Sequence, residues 1–338
     1  MSDSPLTPLL IGLDDGYAYT KIALPSGRVF AVPSRARVGA AAITSLQPSH
    51  ITVREYLTGG CRYSAGGVDG ESTCFEDYPC SSLNRVIVQH TLQEADLAGR
   101  VLHVVSGLPV SAFYTADGCR RSDHITRKIA NLREAALPAD GRLPVAIAFH
   151  DVIPEALAAW YDEVITETPE GTPLESERMH VPIGIIDIGG RTTDYVVVAE
   201  QAVLHRASGS LRCGLLDVKQ RIAERVRARF DLDALGERLV EDAMLKRSVR
   251  LYGKVHDIGD LMDSALREVV EQIYVESRRQ LGRGAELERV LFVGGGALVL
   301  ADQIREWFPN GVIAGMPAFA NARGMLKYLK YVAEEPAC

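Results

Sequence analysis

One local plan occurs twice in this chain of 338 residues and limits the folds that the chain can adopt. The segments IGLDDGYAYTKIAL (11–24) and IIDIGGRTTDYVVV (185–198) both run as an apolar strand into an aspartate, then through a glycine turn into a second strand. A strand set of this kind opens each half of the chain, at residues 9–33 and 183–206. Two such units predict two related domains.

The pattern around these units alternates apolar runs with helical periods, which predicts an α/β protein with buried sheets. Each domain is expected to hold a mixed β-sheet flanked by helices. The expected division is a disordered tail at 1–8, domain I at 9–152, domain II at 153–319, and a C-terminal helix at 320–338 that packs back on domain I.

Composition narrows the function classes. A hydrophobic content of 47% and a charged content of 24% are ordinary for a soluble globular protein, and the net charge of −7 offers no global basic field for direct contact with nucleic acid. No apolar run of about 18 residues predicts a membrane span, and MSDSPLTP lacks the features of a secretory signal. The six cysteines form no CxxC pair, so free thiols in a reducing cytoplasm are expected.

The two glycine turns have the chemistry of a phosphate site. Backbone amides at a glycine turn can point at a phosphate without a side chain in the way. Asp14 and Asp187 can hold Mg²⁺ through its waters, and Lys21 can reach the phosphates as a point charge. Two facing hairpins would then grip one polyphosphate between two domains. The alternative for each turn alone is an ordinary β-turn with solvated acids.

A third element, LFVGGGALVL (291–300), runs as a strand into Gly294, Gly295 and Gly296 and then into a helix. The glycines let the backbone pass close to a flat ligand, and the helix N-terminus favours negative charge. A dinucleotide-binding turn is the alternative, but the GxGxxG spacing and the ribose-binding acid about 20 residues later are both missing.

In this order the three elements resemble the superfamily of actin, hexokinase and the 70-kDa heat-shock chaperones. The chain is similar over nearly its whole length to the ParM/StbA actin-like plasmid segregation ATPases. The segments that carry this second resemblance are DDGYAYTK, YLTGGCRYSAG, VVSGLPVSAFY, RKIANLR, FHDVIPEALAAW and FANARGM. The resemblance implies an actin-like fold with a nucleotide cleft between the two domains.

The resemblance also implies roles for individual residues. Asp14 and Asp187 match the acids that organise Mg²⁺, and Asp187 is also expected to be catalytic. Asp151 stands where these proteins carry a glutamate that positions the attacking water. The implied nucleotide-binding residues are Asp15, Gly16, Tyr17, Lys21, Gly189, Gly190, Arg191, Thr192, Asp217, Gly294, Gly295 and Gly296.

The sequence departs from the family at some of these positions. Asp151 is one methylene shorter than glutamate, so slow hydrolysis or a shared role for His150 are alternatives, as is a plain acid at the start of the helix that Pro154 would open. Tyr17 replaces a small hydroxyl residue and is alternatively a core aromatic. Arg191 replaces a threonine, and it and Asp217 are alternatively solvated.

The function implied is that of a cytoplasmic ATPase that binds ATP, ADP and Mg²⁺ and polymerises with copies of itself. In plasmid segregation such a filament acts through a DNA-binding adaptor at a centromere, without touching DNA or membrane itself. The alternatives are a small-molecule kinase of the same superfamily and a bacterial cytoskeletal filament with no segregation role.

Overall fold

The computed structural model describes residues 7–41, 53–67, 69–168, 172–175 and 177–333; most of the predicted tail lies outside these ranges. The strands are β1 Leu9–Asp15, β2 Tyr19–Ala23, β3 Val29–Pro33, β4 Ala36–Val38, β5 Val53–Thr58, β6 Cys61–Gly66, β7 Val101–Leu108, β8 Leu137–Pro138, β9 Ala146–Pro154, β10 Ile165–Glu167, β11 Pro173–Glu175, β12 Ile183–Ile188, β13 Thr193–Ala199, β14 Ala202–Val203, β15 Gly209–Leu211, β16 Ser248–Leu251, β17 Lys254–Asp257, β18 Arg289–Val293 and β19 Gly311–Ile313.

The α-helices are α1 Ser82–Glu94, α2 Val110–Phe113, α3 Ser122–Arg133, α4 Leu157–Val164, α5 Leu215–Phe230, α6 Glu237–Lys246, α7 Gly259–Leu281, α8 Gly294–Val299, α9 Ala301–Ile304 and α10 Ala320–Tyr331. Short 3-10 helices lie at Tyr78–Cys80, Glu177–His180, His205–Ala207 and Pro317–Phe319. No helix in the described ranges is both long and apolar enough to cross a bilayer.

Two mixed sheets with one plan form the centre of the molecule. Their strand orders are β3-β2-β1-β7-β9 and β14-β13-β12-β18-β19, with β15 also paired to β13. In each sheet an antiparallel hairpin, β1–β2 or β12–β13, continues through parallel strands on the far side of its first strand. The predicted α/β class with two related mixed sheets is confirmed, because the same order of hairpin and crossovers occurs twice.

Smaller elements extend each half. The first half adds a four-stranded sheet of order β4-β6-β5-β8, and the second adds the hairpin β16–β17 beside α6. Buried apolar residues of β12, β13 and β18 pack against α5 and α7 on one face and against α4 on the other.

Helix α10 belongs to the predicted C-terminal helix and packs against β1 and α4. Its contact with β1 is close, because a Cβ added at Gly12 would lie 1.9 Å from the carbonyl oxygen of Ala322. The domain division remains a prediction. Its boundary between residues 152 and 153 falls inside β9, which runs on to Pro154.

Two local expectations were wrong. Pro154 does not lie in the first turn of a helix; it ends β9, and α4 begins at Leu157. The pairing of β9 with β7 extends this far, because the Glu155 amide, one residue beyond Pro154, donates to the Leu108 carbonyl at 2.8 Å. The three glycines after β18 are not a turn that precedes the helix; they are the first three residues of the short helix α8, Gly294–Val299.

Candidate functional site: two facing hairpin turns

The hairpins β1–β2 and β12–β13 have the same geometry. In the strand register, Asp14 lies opposite Lys21 in the first hairpin, and Asp187 lies opposite Asp194 in the second. A Cβ added at Gly16 or at Gly189 would lie 3.0 Å from the carbonyl oxygen three residues further on. The two turns are therefore equivalent in structure as well as in sequence.

In the first turn the peptide carbonyls are held by neighbouring segments. Ser34 Oγ donates to the Gly16 carbonyl at 2.7 Å, and Thr73 Oγ1 donates to the Tyr17 carbonyl at 2.7 Å. In a trans peptide the N–H points opposite to the C=O, so the amides of Tyr17 and Ala18 face away from these donors. Neither amide has a hydrogen-bond partner among the described residues.

In the second turn the same arrangement is made by the N-terminus of α5. The Leu215 amide donates to the Gly189 carbonyl at 3.1 Å, and the Leu216 amide donates to the Gly190 carbonyl at 2.8 Å. The amides of Gly190 and Arg191 consequently face away from α5, and within the described ranges they have no partner. Successive unpaired amides at a turn form a concave site for an anion.

The two turns meet each other. A Cβ added at Gly190 would lie 2.8 Å from Ala18 Cβ, and the Arg191 guanidinium lies 5.2 Å from the centre of the Tyr17 ring. The structure therefore brings the predicted hairpins together, one from each half of the chain.

Asp14 and Asp187 are buried where their strands end. Lys21 Nζ donates to Asp14 at 2.8 Å, and Asn321 Nδ2, in the first turn of α10, donates to Asp187 at 2.6 Å. Burial raises the pKa of Asp187 to about 7, and the charge of Asp14 acts in the same direction. Burial alone would lower the pKa of Lys21, but the charges of Asp14 and Asp187 raise it overall.

Two further acids complete this region, and the sequence analysis missed both. Buried Asp194 accepts hydrogen bonds from the Val110 amide at 2.7 Å and from Ser210 Oγ. Half-buried Glu155 has a pKa well above its ordinary value, because of burial and then the charges of Asp14, Asp194 and Asp187. The available signals were the register that sets Asp194 opposite Asp187 and the Glu155 within FHDVIPEALAAW.

The structure does not bring Asp151 to these acids. Its carboxylate accepts from the Val152 amide at 2.8 Å and from the Tyr328 hydroxyl, on α10, at 3.4 Å. Four residues further along the chain, Glu155 is instead subject to burial and to the charges of Asp14, Asp194 and Asp187, which raise its pKa. The water-positioning role of Asp151 stays a prediction.

Asp15 and Asp217 are engaged in structural contacts. Lys128 Nζ bonds both oxygens of Asp15 at 2.8 and 2.9 Å, and Asn84 Nδ2 donates to it at 2.8 Å, all in the buried interior. The carboxylate of Asp217 accepts from the Gly214 amide at 2.8 Å and so caps the start of α5. Their predicted nucleotide contacts stay predictions, and neither side chain is free of partners.

The three glycines of α8 lie against the second hairpin. Gly294 has φ +83°, and a Cβ there would be 2.3 Å from Asp187 Oδ1; at Gly296 it would be 2.2 Å from Ile188 Cγ2. At Gly295 an added Cβ would meet no atom within 4 Å. The outer glycines allow close packing, and the middle one borders open space that suits a flat ligand.

The donor set fits Mg²⁺ held through its waters. Asp14, Asp187, Asp194 and Glu155 act on one another's charge, and a divalent cation would offset that repulsion. Within the described residues, no three acidic, histidine or cysteine side chains form a group that could hold an ion directly. Such a site relies on a bound phosphate and on the ion's own waters.

Two family models match the chain. The N-terminal model of the plasmid segregation protein ParM (StbA) matches residues 11–165, and the C-terminal model of the archaeal actin homologue MreB-like matches residues 185–306. No curated protein sequence matches the chain.

Solved structures give the same picture of the fold. The archaeal actin homologue Ta0583 in complex with ADP has a TM-score of 0.73 at 19% identity and covers 95% of this chain and 99% of its own. A ParM subunit of a 15-stranded filament from Clostridium botulinum has a TM-score of 0.76 at 18% identity, with coverage of 96% and 99%. Bacillus thuringiensis ParM with AMPPNP has 0.62 at 14%, with coverage of 96% and 99%. The predicted fold is confirmed.

Proposed function

We propose that this chain is an ATPase that forms filaments, because residues 11–165 match the N-terminal model of ParM (StbA), residues 185–306 match the C-terminal model of an MreB-like actin homologue, and the fold is actin-like. In this proposal the protein binds ATP or ADP with Mg²⁺ between its two hairpins. It polymerises with ATP bound, and the filaments disassemble as the ATP is hydrolysed.

One observation carries the proposal. Two equivalent turns, one from each half, face each other with their carbonyls held from behind and their amides without partners within the described ranges. A polyphosphate between them would accept hydrogen bonds from both sets of amides and would be attracted by the positive charge of Lys21. ADP and AMPPNP are the nucleotides bound by two of the structural neighbours.

In this proposal, different residues of the site bind the phosphates, orient the attacking water and hold the metal ion. The amides of Tyr17, Ala18, Gly190 and Arg191 bind phosphate oxygens, while the carboxylate of Glu155 orients water in line with the terminal phosphate. Bound Mg²⁺, organised by Asp14 and Asp187 through its waters, would supply positive charge to the phosphates.

Because the site lies between the two halves, a bound nucleotide can control polymerisation through closure of the halves. The terminal phosphate draws the hairpins together, and its loss lets them relax. A ligand shifts such an equilibrium only through its different affinity for the two states. If subunit contacts favour the closed state, ATP binding and assembly reinforce each other. We place this activity in the cytoplasm, with a DNA-binding adaptor linking the filament to a plasmid.

Light scattering and pelleting at rising protein concentration, with ATP, ADP and AMPPNP in turn, test the proposal. The expected result is a critical concentration that is lower with ATP or AMPPNP than with ADP, and filaments that disassemble only in ATP. No assembly in any nucleotide, combined with phosphate transfer to a small acceptor, would leave the small-molecule kinase as the function. If filaments form but bind no DNA-binding adaptor, the alternative of a cytoskeletal filament without a segregation role would remain.

A further inference from the structure

The Arg191 side chain spans the contact between the two hairpins. It leaves the second turn, and its guanidinium lies over the ring of Tyr17 in the first, 5.2 Å from the ring centre. A cation over an aromatic face is attracted by the ring's electron density. This contact therefore joins the two halves of the chain at the point where the proposed phosphate site lies.

The Tyr17 ring is a fixed platform for this contact. It packs against the fully buried ring of Tyr78 at 5.2 Å between centres, and its carbonyl is held by Thr73. Burial raises the pKa of Tyr17, and the charge of Glu155 acts in the same direction, whereas Arg191 opposes it. The Tyr17 ring is therefore within range of the charge of Glu155, the residue proposed to orient the attacking water.

The guanidinium has an unmet hydrogen bond. Its Nη1 is buried and has no partner among the residues that the structure describes. A guanidinium has five donors in a planar fork, and an unpaired buried donor is costly. Phosphate oxygens are the acceptors that this fork fits best, and the nearest proposed phosphate position is between the two turns.

We propose that Arg191 donates to the terminal phosphate of a bound nucleoside triphosphate, and that Tyr17 holds the guanidinium in place from the opposite hairpin. This inference rests on the proposed nucleotide site. Since the contact is to the terminal phosphate, the pair distinguishes triphosphate from diphosphate. It also links that phosphate to closure of the two halves, because its members come from different hairpins.

The test is the ratio of ATP to ADP affinity, measured by calorimetry below the critical concentration so that assembly does not contribute. Arg191→Ala should weaken ATP binding about 10- to 100-fold, the range for a lost charge-assisted phosphate contact, and ADP binding by less than about 3-fold. Arg191→Lys should recover part of the loss, since it keeps the charge and lacks the fork. Tyr17→Leu should lower the same ratio more than Tyr17→Phe, which keeps the ring.

Arg212 provides the matched control. It also pairs across the halves, with Glu76 at 3.6 Å, but both side chains are exposed. Arg212→Ala should leave the ATP to ADP ratio unchanged. Equal weakening of ATP and ADP in Arg191→Ala, or no weakening, would overturn the inference and leave Arg191 as a stacking residue. If the parent protein binds neither nucleotide, the proposed function itself fails. Far-UV circular dichroism of each variant separates these results from misfolding.

Discussion

Glu155 and Asp151 lie four residues apart in one segment, but their surroundings differ. Burial and the charges of Asp14, Asp194 and Asp187 raise the pKa of Glu155, whereas the carboxylate of Asp151 accepts hydrogen bonds from Val152 and Tyr328. A group that orients water must reach the terminal phosphate, and we propose that role for Glu155 because the charges of the hairpin acids act on it. The neighbouring charges also set the protonation of Glu155, so its role depends on the metal and phosphate that bind there.

We predict that Glu155→Gln lowers the rate of ATP hydrolysis by about 10²–10⁴-fold, the usual loss for a side chain that positions or activates water. Glutamine keeps the size of the side chain, so ATP still binds and filaments still form but persist. Phosphate release at saturating ATP measures the rate, and pelleting measures the filaments. Asp151→Asn is the matched comparison, and the reverse result, with Asp151→Asn inactive and Glu155→Gln active, would return the role to Asp151.

Two buried histidines predict how stability depends on pH. Burial lowers the pKa of His90 and of His150 to about 4, and each ring has a neutral partner, Tyr56 OH at 3.1 Å and Ser106 Oγ at 2.8 Å. In the unfolded chain both titrate near 6.5. The unfolded state therefore binds more protons between about pH 6.5 and pH 4, and the free energy of unfolding falls as pH falls through that window.

The expected loss is on the order of 3 kcal/mol per histidine across the window. Urea denaturation at several pH values between 7.5 and 4.5 measures it. Replacing either histidine by glutamine should make the pH dependence shallower, whatever it does to stability at pH 7.5. Exposed His180→Gln is the control. A pH slope unchanged by His90→Gln and His150→Gln would show that these histidines do not carry it.

At the scale of elements, α10 determines how the first sheet joins the site. It packs between β1 and α4 and presents Asn321 to Asp187 and to the Ala156 amide at 3.1 Å. Glycines make this packing close. A Cβ at Gly12 would be 1.9 Å from the Ala322 carbonyl oxygen, and a Cβ at Gly324 would be 1.6 Å from the Ala158 carbonyl oxygen.

We predict that Gly12→Ala and Gly324→Ala each destabilise the protein by about 1–3 kcal/mol or more, because the helix must move away from backbone atoms that cannot yield. For Gly324, which lies inside α10, this is opposite to the usual gain of alanine over glycine in a helix. Thermal or urea denaturation measures the change. Gly315→Ala, where an added Cβ meets no atom within 4 Å, is the control. Equal stability of all three variants would mean that α10 is not so tightly seated.

At the scale of the whole molecule, a charged network joins the two halves away from the hairpins. Arg35, between β3 and β4, pairs with Glu241 and lies 3.6 Å from Glu237, both on α6, and Lys219 on α5 pairs with the same two acids. Arg238 adds a bond to the Gly67 carbonyl at 2.9 Å. These contacts favour a closed arrangement of the two halves before any phosphate is considered.

We predict that Arg35→Ala makes the nucleotide-free protein more open, with a larger radius of gyration by small-angle X-ray scattering. High salt should shift the parent protein in the same direction, since partly exposed pairs are screened. Arg229→Ala is the control, because Arg229 pairs with Asp260 inside the second half. Identical scattering from the parent protein and Arg35→Ala would show that the network does not hold the halves together.

The sequence by itself determined the features that arise from neighbouring residues. The hairpins around Gly16 and Gly189, the strand before Gly294 and the long helices α5 and α7 follow from apolar periodicity and glycine turns, which are local signals. The repetition of the hairpin also predicted two sheets with one plan. These features were enough to predict the fold class and the two turns that face each other.

Only the tertiary structure decided which charged side chains enter the site. Asp15 is adjacent to Asp14 in the chain but is taken up by Lys128, 113 residues away, whereas Glu155 is subject to the charges of Asp14, Asp187 and Asp194. Asn321 joins from a position that no local pattern marks. The reason is physical: the ionisation and partners of a carboxylate depend on burial and on charges within a few ångströms, and those come from segments distant in sequence.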